Sequence, residues 1–274
     1  MIAGVLNVSP ESFYRGSVHG AETLLRAAET LVEAGAAILD VGAMSTAPYL
    51  AGRIDPDEER ERLVGAVELL AGKITAAISV DTARPEPAAA ALDAGATIVN
   101  DVTGLADDRL AALIAARDAG AVVMASPTAA ARNRRDPRAA GDPVAFVHAC
   151  LSDALDRACA AGIPDDSIVL DPGIGFFLDA PDERASWDVA VLARLAELTA
   201  LARPIAVGVS RKSFVGALTG RGDPHDRLAG SLAATVVAVL GGAALIRTHD
   251  PAETRDAVRV AERLAAAGAG AHDT

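Results

Sequence analysis

The stretch Ile168–Phe176, which reads IVLDPGIGF, shows the pattern that decides the fold. A short apolar run leads directly into Asp171, and Pro172, Gly173 and Gly175 then break the chain. The same arrangement, an apolar run that ends in polar residues, recurs in AILDVG (37–42), AISVDT (77–82), TIVNDV (97–102) and ALIRTHD (244–250). Near-continuous apolar runs of this length are typical of strands that are buried on both faces of a parallel sheet.

Eight such runs are spread over the whole chain. We predict strands over Ile2–Asn7, Ala37–Gly42, Ala77–Thr82, Thr97–Val102, Ala121–Ser126, Ser167–Asp171, Ile205–Ser210 and Ala243–His249. Amphipathic stretches of helical length lie between them, at Ala21–Glu33, Asp57–Leu70, Pro85–Asp93, Asp107–Asp118, Pro143–Ala160, Arg184–Ala202, Arg227–Leu240 and Pro251–Ala266. A glycine between helix and strand predicts a left-handed helix end. Such glycines are Gly35, Gly95, Gly120 and Gly162.

Strand–helix units, eight in all and spaced by roughly 30 residues, predict a single (β/α)8 TIM barrel of the α/β class. We expect the barrel to cover residues 1–267 and residues 268–274 to form a flexible tail. A doubly wound open sheet is the structural alternative. The number of units and their shared polar strand ends favour the barrel.

The composition limits the kinds of partner that we expect. The 274 residues carry a net charge of −12, which argues against binding to nucleic acid or to an anionic membrane. A small anionic substrate stays compatible with this charge, because a cleft can be locally positive. We expect no membrane span and no signal peptide, since the sequence shows neither pattern. Cys150 and Cys159 would lie about 13 Å apart on one helix, too far for a disulfide, which suits a reducing cytoplasm.

Polar residues at the carboxyl ends of TIM-barrel strands converge on one mouth. The side chains that would reach this rim are Asn7, Asp40, Asp81, Asn100, Asp171, Lys212, Arg247 and His249. Any one of them is also explained as a turn or cap residue. A set that joins carboxylates to a lysine, an arginine and a histidine is better explained by a binding site.

One half of the rim suits a heterocyclic ligand. Asp81, Asn100 and Asp171 offer carboxylate oxygens and one amide, which suit a ligand edge with several N–H donors. Lys212, which follows the seventh strand, would reach a ring carbonyl or nitrogen from the other side.

The other half of the rim suits an anion. Arg247 and His249 end the eighth strand, and Asn7 ends the neighbouring first strand, so we predict an oxyanion site that favours diphosphate. Asn7 would hold the water shell of Mg²⁺ or a phosphate oxygen. A salt-bridged strand end is the alternative explanation of RTHD (247–250).

Ser210 and Ser213 show no base partner in the sequence, so we predict no serine nucleophile.

Ordered motifs over nearly the whole chain resemble those of the dihydropteroate synthase family. They are GVLNVSPESF (4–13), DVGAMSTAP (40–48), ISVDT (78–82), IVNDVTG (98–104), LDPGIGF (170–176), VSRKSFVG (209–216) and IRTHD (246–250). Each motif is weak alone, but the ordered set is specific. The family fold is a (β/α)8 barrel.

The resemblance implies a transferase that joins 6-hydroxymethyl-7,8-dihydropterin diphosphate to an aryl amine and releases diphosphate. It implies that the pterin is held by Asp81, Asn100, Asp171 and Lys212. It implies that the diphosphate is held, with Mg²⁺, by Asn7, Arg247 and His249. The residues that would face the aryl amine are Phe176, Lys212 and Ser213. The loops 9–17 and 45–52 would close over the bound substrates, and Thr46 in the second loop would contact them. The catalytic residues would be Asp81, Asp171, Lys212, Arg247 and His249.

The loops depart from the family pattern. Ser9–Ser17 reads SPESFYRGS, and Met44–Tyr49 lacks the acid and the arginine that the family carries there. Phe177 and Leu178 stand where the family has Gly-Lys. Because the pterin residues are kept, we associate these changes with the acceptor. They favour a larger acceptor, a ribofuranosylaminobenzene phosphate of tetrahydromethanopterin biosynthesis, which suits Arg15 and the arginines of 132–138. Para-aminobenzoate, in folate biosynthesis, is the alternative acceptor.

Two other functions stay open. A pterin-binding methyltransferase domain needs the pterin site but no diphosphate site, so Asn7, Arg247 and His249 favour the synthase. A catalytically silent pterin-binding homologue is the second alternative.

The resemblance also implies a homodimer, because the family commonly forms homodimers. The apolar helices Leu228–Leu240 and Val258–Leu264 are candidates for the dimer face.

Overall fold

The computed structural model describes residues 1–8, 18–43, 54–127 and 136–270. In a closed barrel, each strand pairs in parallel with the next one along the chain, and the last strand pairs with the first. The strands are β1 (Ile2–Asn7), β2 (Ile38–Gly42), β3 (Ala77–Asp81), β4 (Ile98–Asp101), β5 (Gly120–Met124), β6 (Ile168–Asp171), β7 (Ile205–Val207) and β8 (Ala243–Thr248).

Helices follow the strands around the barrel. The α-helices are α1 (Val18–Glu33), α2 (Pro56–Leu70), α3 (Pro85–Ala94), α4 (Asp108–Ala116), α5 (Pro143–Ala161), α6 (Pro181–Ala193), α7 (Ser213–Thr219), α8 (Leu228–Leu240) and α9 (Pro251–Gly270). Short 3₁₀ segments lie at Pro137–Ala139, Asp165–Ser167, Leu195–Leu201 and Pro224–Arg227.

Closure of the sheet confirms the TIM barrel and excludes the doubly wound alternative. Ala3 of β1 lies opposite Arg247 of β8 on one side and opposite Ile38 of β2 on the other. Each of the described strands therefore has two neighbours, and none of them presents a free edge.

Most of the predicted helix boundaries are confirmed. Left-handed backbone follows three helices, with φ of 109°, 121° and 86° at Gly35, Gly95 and Gly162. Asp107 and Asp142 cap α4 and α5, since their carboxylates accept the backbone N–H of Arg109 and Val144 at 2.9 and 3.0 Å. Pro251 is the first residue of α9.

The predicted helix end at Gly120 is wrong. Helix α4 ends earlier, and the left-handed residue is Asp118, with φ of 52°. The N–H of Ala119 bonds to the carbonyl oxygen of Ile114, which closes the helix before Gly120 is reached. Gly120 instead begins β5, and its N–H bonds to the carbonyl oxygen of Thr97 in the neighbouring chain segment.

The sixth and seventh units differ from the prediction. The helix predicted over Arg184–Ala202 begins at Pro181 and ends at Ala193, and a 3₁₀ segment follows it. Strand β7 ends at Val207 rather than Ser210, because the chain turns through Arg211, whose φ is 58°. This turn leads into α7, a helix that the sequence did not predict, and places Lys212 immediately before it.

The barrel interior has an apolar layer and a polar layer. Ala3, Ile38, Ala206 and Leu245 fill the apolar layer. A separate and larger core packs the outer faces of the strands against the helices. The polar layer lies nearer the carboxyl ends of the strands and forms the floor of the candidate site.

The predictions for the cysteines, for membrane-spanning helices and for the end of the chain can be compared with the structure. Cys150 is buried, Cys159 is exposed, and both are free thiols, as expected. Among the described residues, no helix is long and apolar enough to cross a membrane. Helix α9 continues to Gly270, past the predicted start of the tail at residue 268, and residues 271–274 lie outside the described ranges.

Candidate active site

The floor of the barrel mouth is a small cavity inside the sheet, which both apolar and polar side chains line. Its polar lining comes from alternate positions of five strands, which direct these side chains inward. The polar residues of this lining are Asp40, Ser79, Asn100, Asp171 and Arg247. Asp81 joins them, since it lies opposite Asn100 in the strand register and contacts Arg247.

Asp40 organises this cavity. Its carboxylate accepts from the Ser79 hydroxyl at 2.7 Å and from Asn100 Nδ2 at 3.0 Å. The third donor is Arg247 Nε at 2.5 Å. Asp40 is 2% exposed, so these bonds supply the compensation that a buried carboxylate needs. The sequence placed Asp40 on the rim, but the structure makes it an internal partner of other site residues.

Arg247 lies inside the mouth rather than beside it. Its Nε donates to Asp40, and its Nη2 donates to Asp81 Oδ2 at 3.0 Å. Burial opposes its charge, but the attraction of these two carboxylates outweighs burial and raises its pKa. Its Nη1 makes no hydrogen bond within the described residues and is the nitrogen that stays available to an anion.

Asp171 ends β6 and begins the loop that forms one wall of the mouth. Its Oδ1 accepts from the N–H of Gly173 at 2.7 Å. Burial raises the pKa of Asp171, while the Gly173 N–H and the charge of Lys212 act in the opposite direction. Gly173 has a φ of 72°, and a Cβ at this position would overlap the carbonyl oxygen of Ala125, so only glycine fits.

Lys212 reaches this wall from the turn before α7. Its Nζ lies 4.5 Å from the centroid of the Phe176 ring, and its side chain runs over Gly175, where a Cβ would come within 3.2 Å of Lys212 Cδ. Burial and repulsion from Arg247 lower the pKa of Lys212 to about 8, although Asp171 acts in the opposite direction. Ser213 is the next residue and begins α7.

Asp188 belongs to the same wall, and the sequence analysis missed it. It comes from α6, is fully buried, and accepts from the Gly175 N–H at 2.8 Å. Its Oδ2 has no hydrogen-bond partner in the part of the chain that the structure describes. Burial raises the pKa of Asp188 to about 6, which the Gly175 N–H and Lys212 oppose. Its one sequence signal is an aspartate among the apolar residues of SWDVAVL (186–192).

Phe177, a departure from the family pattern, lies in the core and not in the mouth. Its ring is fully buried between Phe146 and Trp187, at centroid distances of 5.8 and 5.3 Å. Arg184 donates to the carbonyl oxygens of Leu178 and Asp179 and holds the next part of the loop. The burial of Phe177 and the hydrogen bonds of Arg184 therefore hold the loop after β6 against the core.

His249 lies at the edge of the mouth, just beyond β8. Its ring Nδ1 is 3.0 Å from Ser210 Oγ, and its backbone N–H donates to the same oxygen at 3.2 Å. The expectation that Ser210 lacks a basic partner is therefore wrong. Two elements that are distant in sequence bring this pair together, at a separation of 39 residues.

Beside the mouth lies an open cavity of about 420 Å³ between the ends of β4, β5 and β6. Phe176 separates it from Lys212, and Arg138 and Asp179 line its outer side. Arg138 Nη2 lies 3.4 Å from Asp179 Oδ2, and both side chains are exposed.

The predicted metal residue, Asn7, is exposed at the carboxyl end of β1. The structure shows no hydrogen bond from its side chain to Arg247 or His249 in the described ranges, and these ranges contain no group of three or more His, Cys, Asp or Glu residues that could hold a metal ion. Its amide oxygen is the type of ligand that Mg²⁺ takes when a substrate phosphate supplies the other oxygens. Thr46, Arg15 and the two mouth loops lie outside the described residues.

Comparison with known proteins identifies the family of the chain. The model of the pterin binding enzyme family matches residues 3–249. The dihydropteroate synthase of Escherichia coli (strain K12) is 37% identical over 263 residues, which are 95% of this chain and 90% of that protein. The structure of Xanthomonas albilineans dihydropteroate synthase with 4-aminobenzoic acid is similar to this chain with a TM-score of 0.85 at 36% identity. The structure of that enzyme with 7,8-dihydropteroate is similar with a TM-score of 0.82 at 34% identity. Both comparisons cover 96% of this chain and 92% of the solved chain. The chain belongs to the dihydropteroate synthase family of pterin-binding enzymes, which are transferases.

Proposed function

We propose that this protein condenses 6-hydroxymethyl-7,8-dihydropterin diphosphate with para-aminobenzoate and releases diphosphate, as a step of folate biosynthesis. The observation that carries the proposal is the grouping of Asp81, Asn100, Asp171 and Lys212 at one barrel mouth, with His249 at its edge. The similarity to the Xanthomonas albilineans enzyme, whose structures hold 4-aminobenzoic acid and 7,8-dihydropteroate, supports the same substrates.

The pterin is the part of the substrate that the carboxylates recognise. Its amino and ring N–H groups suit Asp81 and Asp171, because an ionised carboxylate only accepts hydrogen bonds. Asn100 donates to Asp40 through Nδ2, and its amide oxygen would accept from the same ligand edge. Lys212 supplies a positive charge for the ring carbonyl or a ring nitrogen. A pterin N–H that binds Asp171 also favours its ionised form, against the effect of burial on its pKa.

The leaving diphosphate is the part that needs positive charge and donors. The donors that suit it are Nη1 of Arg247, whose Nε and Nη2 are already bound to carboxylates, and the ring of His249. Asn7 would be a ligand of Mg²⁺ that the diphosphate carries, and the bound ion would withdraw negative charge from the leaving oxygens. The C–O bond between the methylene carbon and the diphosphate breaks, the amine nitrogen of the acceptor bonds to that carbon, and the nitrogen loses a proton to the released diphosphate or to water. The reaction therefore needs no protein nucleophile.

The second acceptor candidate is the ribofuranosylaminobenzene phosphate. The cavity of about 420 Å³ beside Phe176 has space beyond an aryl ring, and Arg138 on its outer side is the type of residue that binds phosphate. The ion pair of Arg138 with Asp179 reduces this attraction. We therefore favour para-aminobenzoate and treat the larger amine as the alternative.

The acceptor is tested by offering each amine separately to the purified protein, with pterin diphosphate and Mg²⁺, and by identifying the product by mass spectrometry. We expect 7,8-dihydropteroate with para-aminobenzoate and a much slower reaction with the phosphate-bearing amine. Arg138→Ala should leave the KM for para-aminobenzoate unchanged. Product from the larger amine alone, with a KM that rises in Arg138→Ala, would move the protein to tetrahydromethanopterin biosynthesis. Pterin binding without product would instead favour a methyltransferase domain or a silent homologue.

The assembly and location of the protein are part of the proposal. We propose a cytoplasmic homodimer that forms through α8 and α9. Both helices carry exposed aliphatic side chains, namely Val237 and Leu240 on α8 and Val260 and Leu264 on α9. Sedimentation equilibrium tests this proposal. We expect the wild type to be a dimer and the double variant Val237→Glu, Leu240→Glu to be a monomer. A wild-type monomer at micromolar concentration would contradict the proposal.

A further inference from the structure

We propose that Ser210 is a positioning residue that holds His249 as a neutral imidazole with its proton on Nε2, so that this nitrogen donates to the leaving diphosphate. The inference rests on the proposed function for the identity of the anion. The tautomer itself is independent of that function. It follows from the hydrogen bonds around one oxygen atom.

The geometry consists of two contacts at Ser210 Oγ. The oxygen is 3.0 Å from His249 Nδ1, and it accepts the backbone N–H of His249 at 3.2 Å. Ser210 is 9% exposed and follows β7, and His249 follows the neighbouring β8. The serine therefore holds both the backbone and the ring of the same residue.

The hydrogen atoms around this oxygen decide the tautomer. A serine hydroxyl has one hydrogen to donate and two lone pairs to accept with. The backbone N–H of His249 occupies one lone pair. If Nδ1 carried a proton, it would occupy the second, and the hydroxyl hydrogen would have no acceptor in the part of the chain that the structure describes. If Nδ1 is unprotonated, it accepts that hydrogen and all groups are satisfied. The proton of the neutral ring then lies on Nε2.

The charges around the ring also favour its neutral form. Arg247, Arg211 and Lys212 are cationic neighbours of His249. The carboxylate that acts on its ring in the described part of the chain is Asp250, which pairs with Arg211 through Nε at 3.1 Å and through Nη2. Desolvation and the charges of Arg247 and Arg211 together lower the pKa of His249 to about 4. At neutral pH the ring is thus a donor without a charge. Such a donor stabilises the leaving oxygens without adding a further cation that would retain the product.

The tautomer is tested directly by long-range ¹H–¹⁵N correlation spectra of protein labelled at its histidines. The chain has five of them, and the signals that disappear in His249→Gln identify His249. We expect the Nε2–H pattern in the wild type near neutral pH, and its loss or mixing with the Nδ1–H pattern in Ser210→Ala. If that variant fails to fold, Ser210→Cys serves in its place, because a thiol is a similar but weak donor.

The positioning role is tested by comparing two ligands. Ser210→Ala should lower kcat/KM for the pterin diphosphate by about tenfold and leave the Kd of the diphosphate-free 6-hydroxymethyl-7,8-dihydropterin unchanged. Ser210→Thr, which keeps the hydroxyl, should recover most of the loss. Ser186→Ala is the control, since Ser186 is exposed on α6 and donates only to its own helix.

Two results would overturn the inference: an Nδ1–H or imidazolium pattern for His249 in the wild type, or a Ser210→Ala variant that weakens both ligands equally. The spectra do not require turnover. A wild-type protein that shows the Nε2–H pattern but releases no diphosphate would therefore refute the proposed function while it supports the assignment of the tautomer.

Discussion

Arg247 and Asp40 form an ion pair inside the barrel, with Arg247 Nε 2.5 Å from Asp40 Oδ2. The two residues are 207 positions apart and come from β8 and β2, which both neighbour β1. The pair therefore joins the end of the sheet to its beginning across the first strand. It also fixes the guanidinium so that Nη2 reaches Asp81 at 3.0 Å. A pterin that binds Asp81 must share that carboxylate with Arg247.

Asp40→Asn should destabilise the protein by about 3 kcal/mol, because it leaves a largely buried guanidinium without one of its two carboxylates. Ser79→Ala is the matched change, since it removes one neutral hydrogen bond to the same carboxylate and should cost about 1 kcal/mol. Urea unfolding at neutral pH measures both free energies. Equal effects of the two substitutions would contradict the role of the ion pair.

Asp188→Asn should stabilise the protein at neutral pH. The pKa of Asp188 is about 6 in the folded protein and near 4 in the unfolded chain, so the unfolded state favours the ionised form. The wild type therefore loses stability as the pH rises from about 4 through 6, by up to about 3 kcal/mol, and this loss is absent in the amide variant. Asparagine keeps the oxygen that accepts the Gly175 N–H.

The measurement for Asp188 is the free energy of unfolding of both proteins between about pH 4 and pH 7.5. We expect the gap between them to widen with pH. Asp182→Asn is the control, because Asp182 is exposed on the same helix. A constant gap over this range would mean that Asp188 does not titrate with a raised pKa.

Gly173→Ala should be much more harmful than Gly162→Ala. Both glycines have positive φ, 72° and 86°, so both substitutions carry a similar backbone strain of about 1 kcal/mol. A Cβ at position 162 has open space, whereas one at position 173 meets the carbonyl oxygen of Ala125. We expect an additional cost of about 2 kcal/mol and weaker pterin binding for Gly173→Ala alone, measured by thermal unfolding and calorimetric titration. Similar melting temperatures for the two variants would contradict the close approach.

The KM for pterin diphosphate should rise as the pH passes about 8. Lys212 has a pKa of about 8 and loses its charge above that value, so its attraction to the pterin fades. Lys212→Met should raise KM by about tenfold at pH 7 and remove this pH dependence. Lys73→Met is the control, since Lys73 is the other lysine of the chain and is exposed. A rise in KM near pH 8 that survives in Lys212→Met would assign it to another group.

The sequence predicts the fold well because each strand–helix unit carries its own local signals. Apolar runs, helix caps and glycine stops depend on neighbouring residues, and they place all the described strands within a few positions. The error at Gly120 arises because a glycine can also begin a strand, and Asp118 adopts the left-handed conformation instead. The turn through Arg211 escaped prediction for a similar reason, since non-glycine residues rarely adopt positive φ.

The candidate site is only partly predictable from the sequence. A polar strand end indicates that a side chain reaches the mouth, but it does not separate ligand-binding residues from their partners. Asp40 lies within β2 and Asp81 ends β3, and the sequence does not show that the Asp40 carboxylate accepts hydrogen bonds from three internal donors. Asp188 and Ser210 act through contacts with residues 13 and 39 positions away, and no local pattern reports such contacts.

The barrel mouth is tested as a pterin transferase site by measuring diphosphate release from 6-hydroxymethyl-7,8-dihydropterin diphosphate with para-aminobenzoate and Mg²⁺, by the wild type and by Asp171→Asn. We predict steady release by the wild type and a loss of about a hundredfold in kcat/KM in the variant, because the amide cannot replace a charged acceptor of pterin N–H groups. Asp179→Asn, a change in the same loop at an exposed position, should match the wild type. Release that is unaffected by Asp171→Asn, or no release by the wild type with this acceptor, would contradict the assignment of the barrel mouth as a pterin transferase site for para-aminobenzoate.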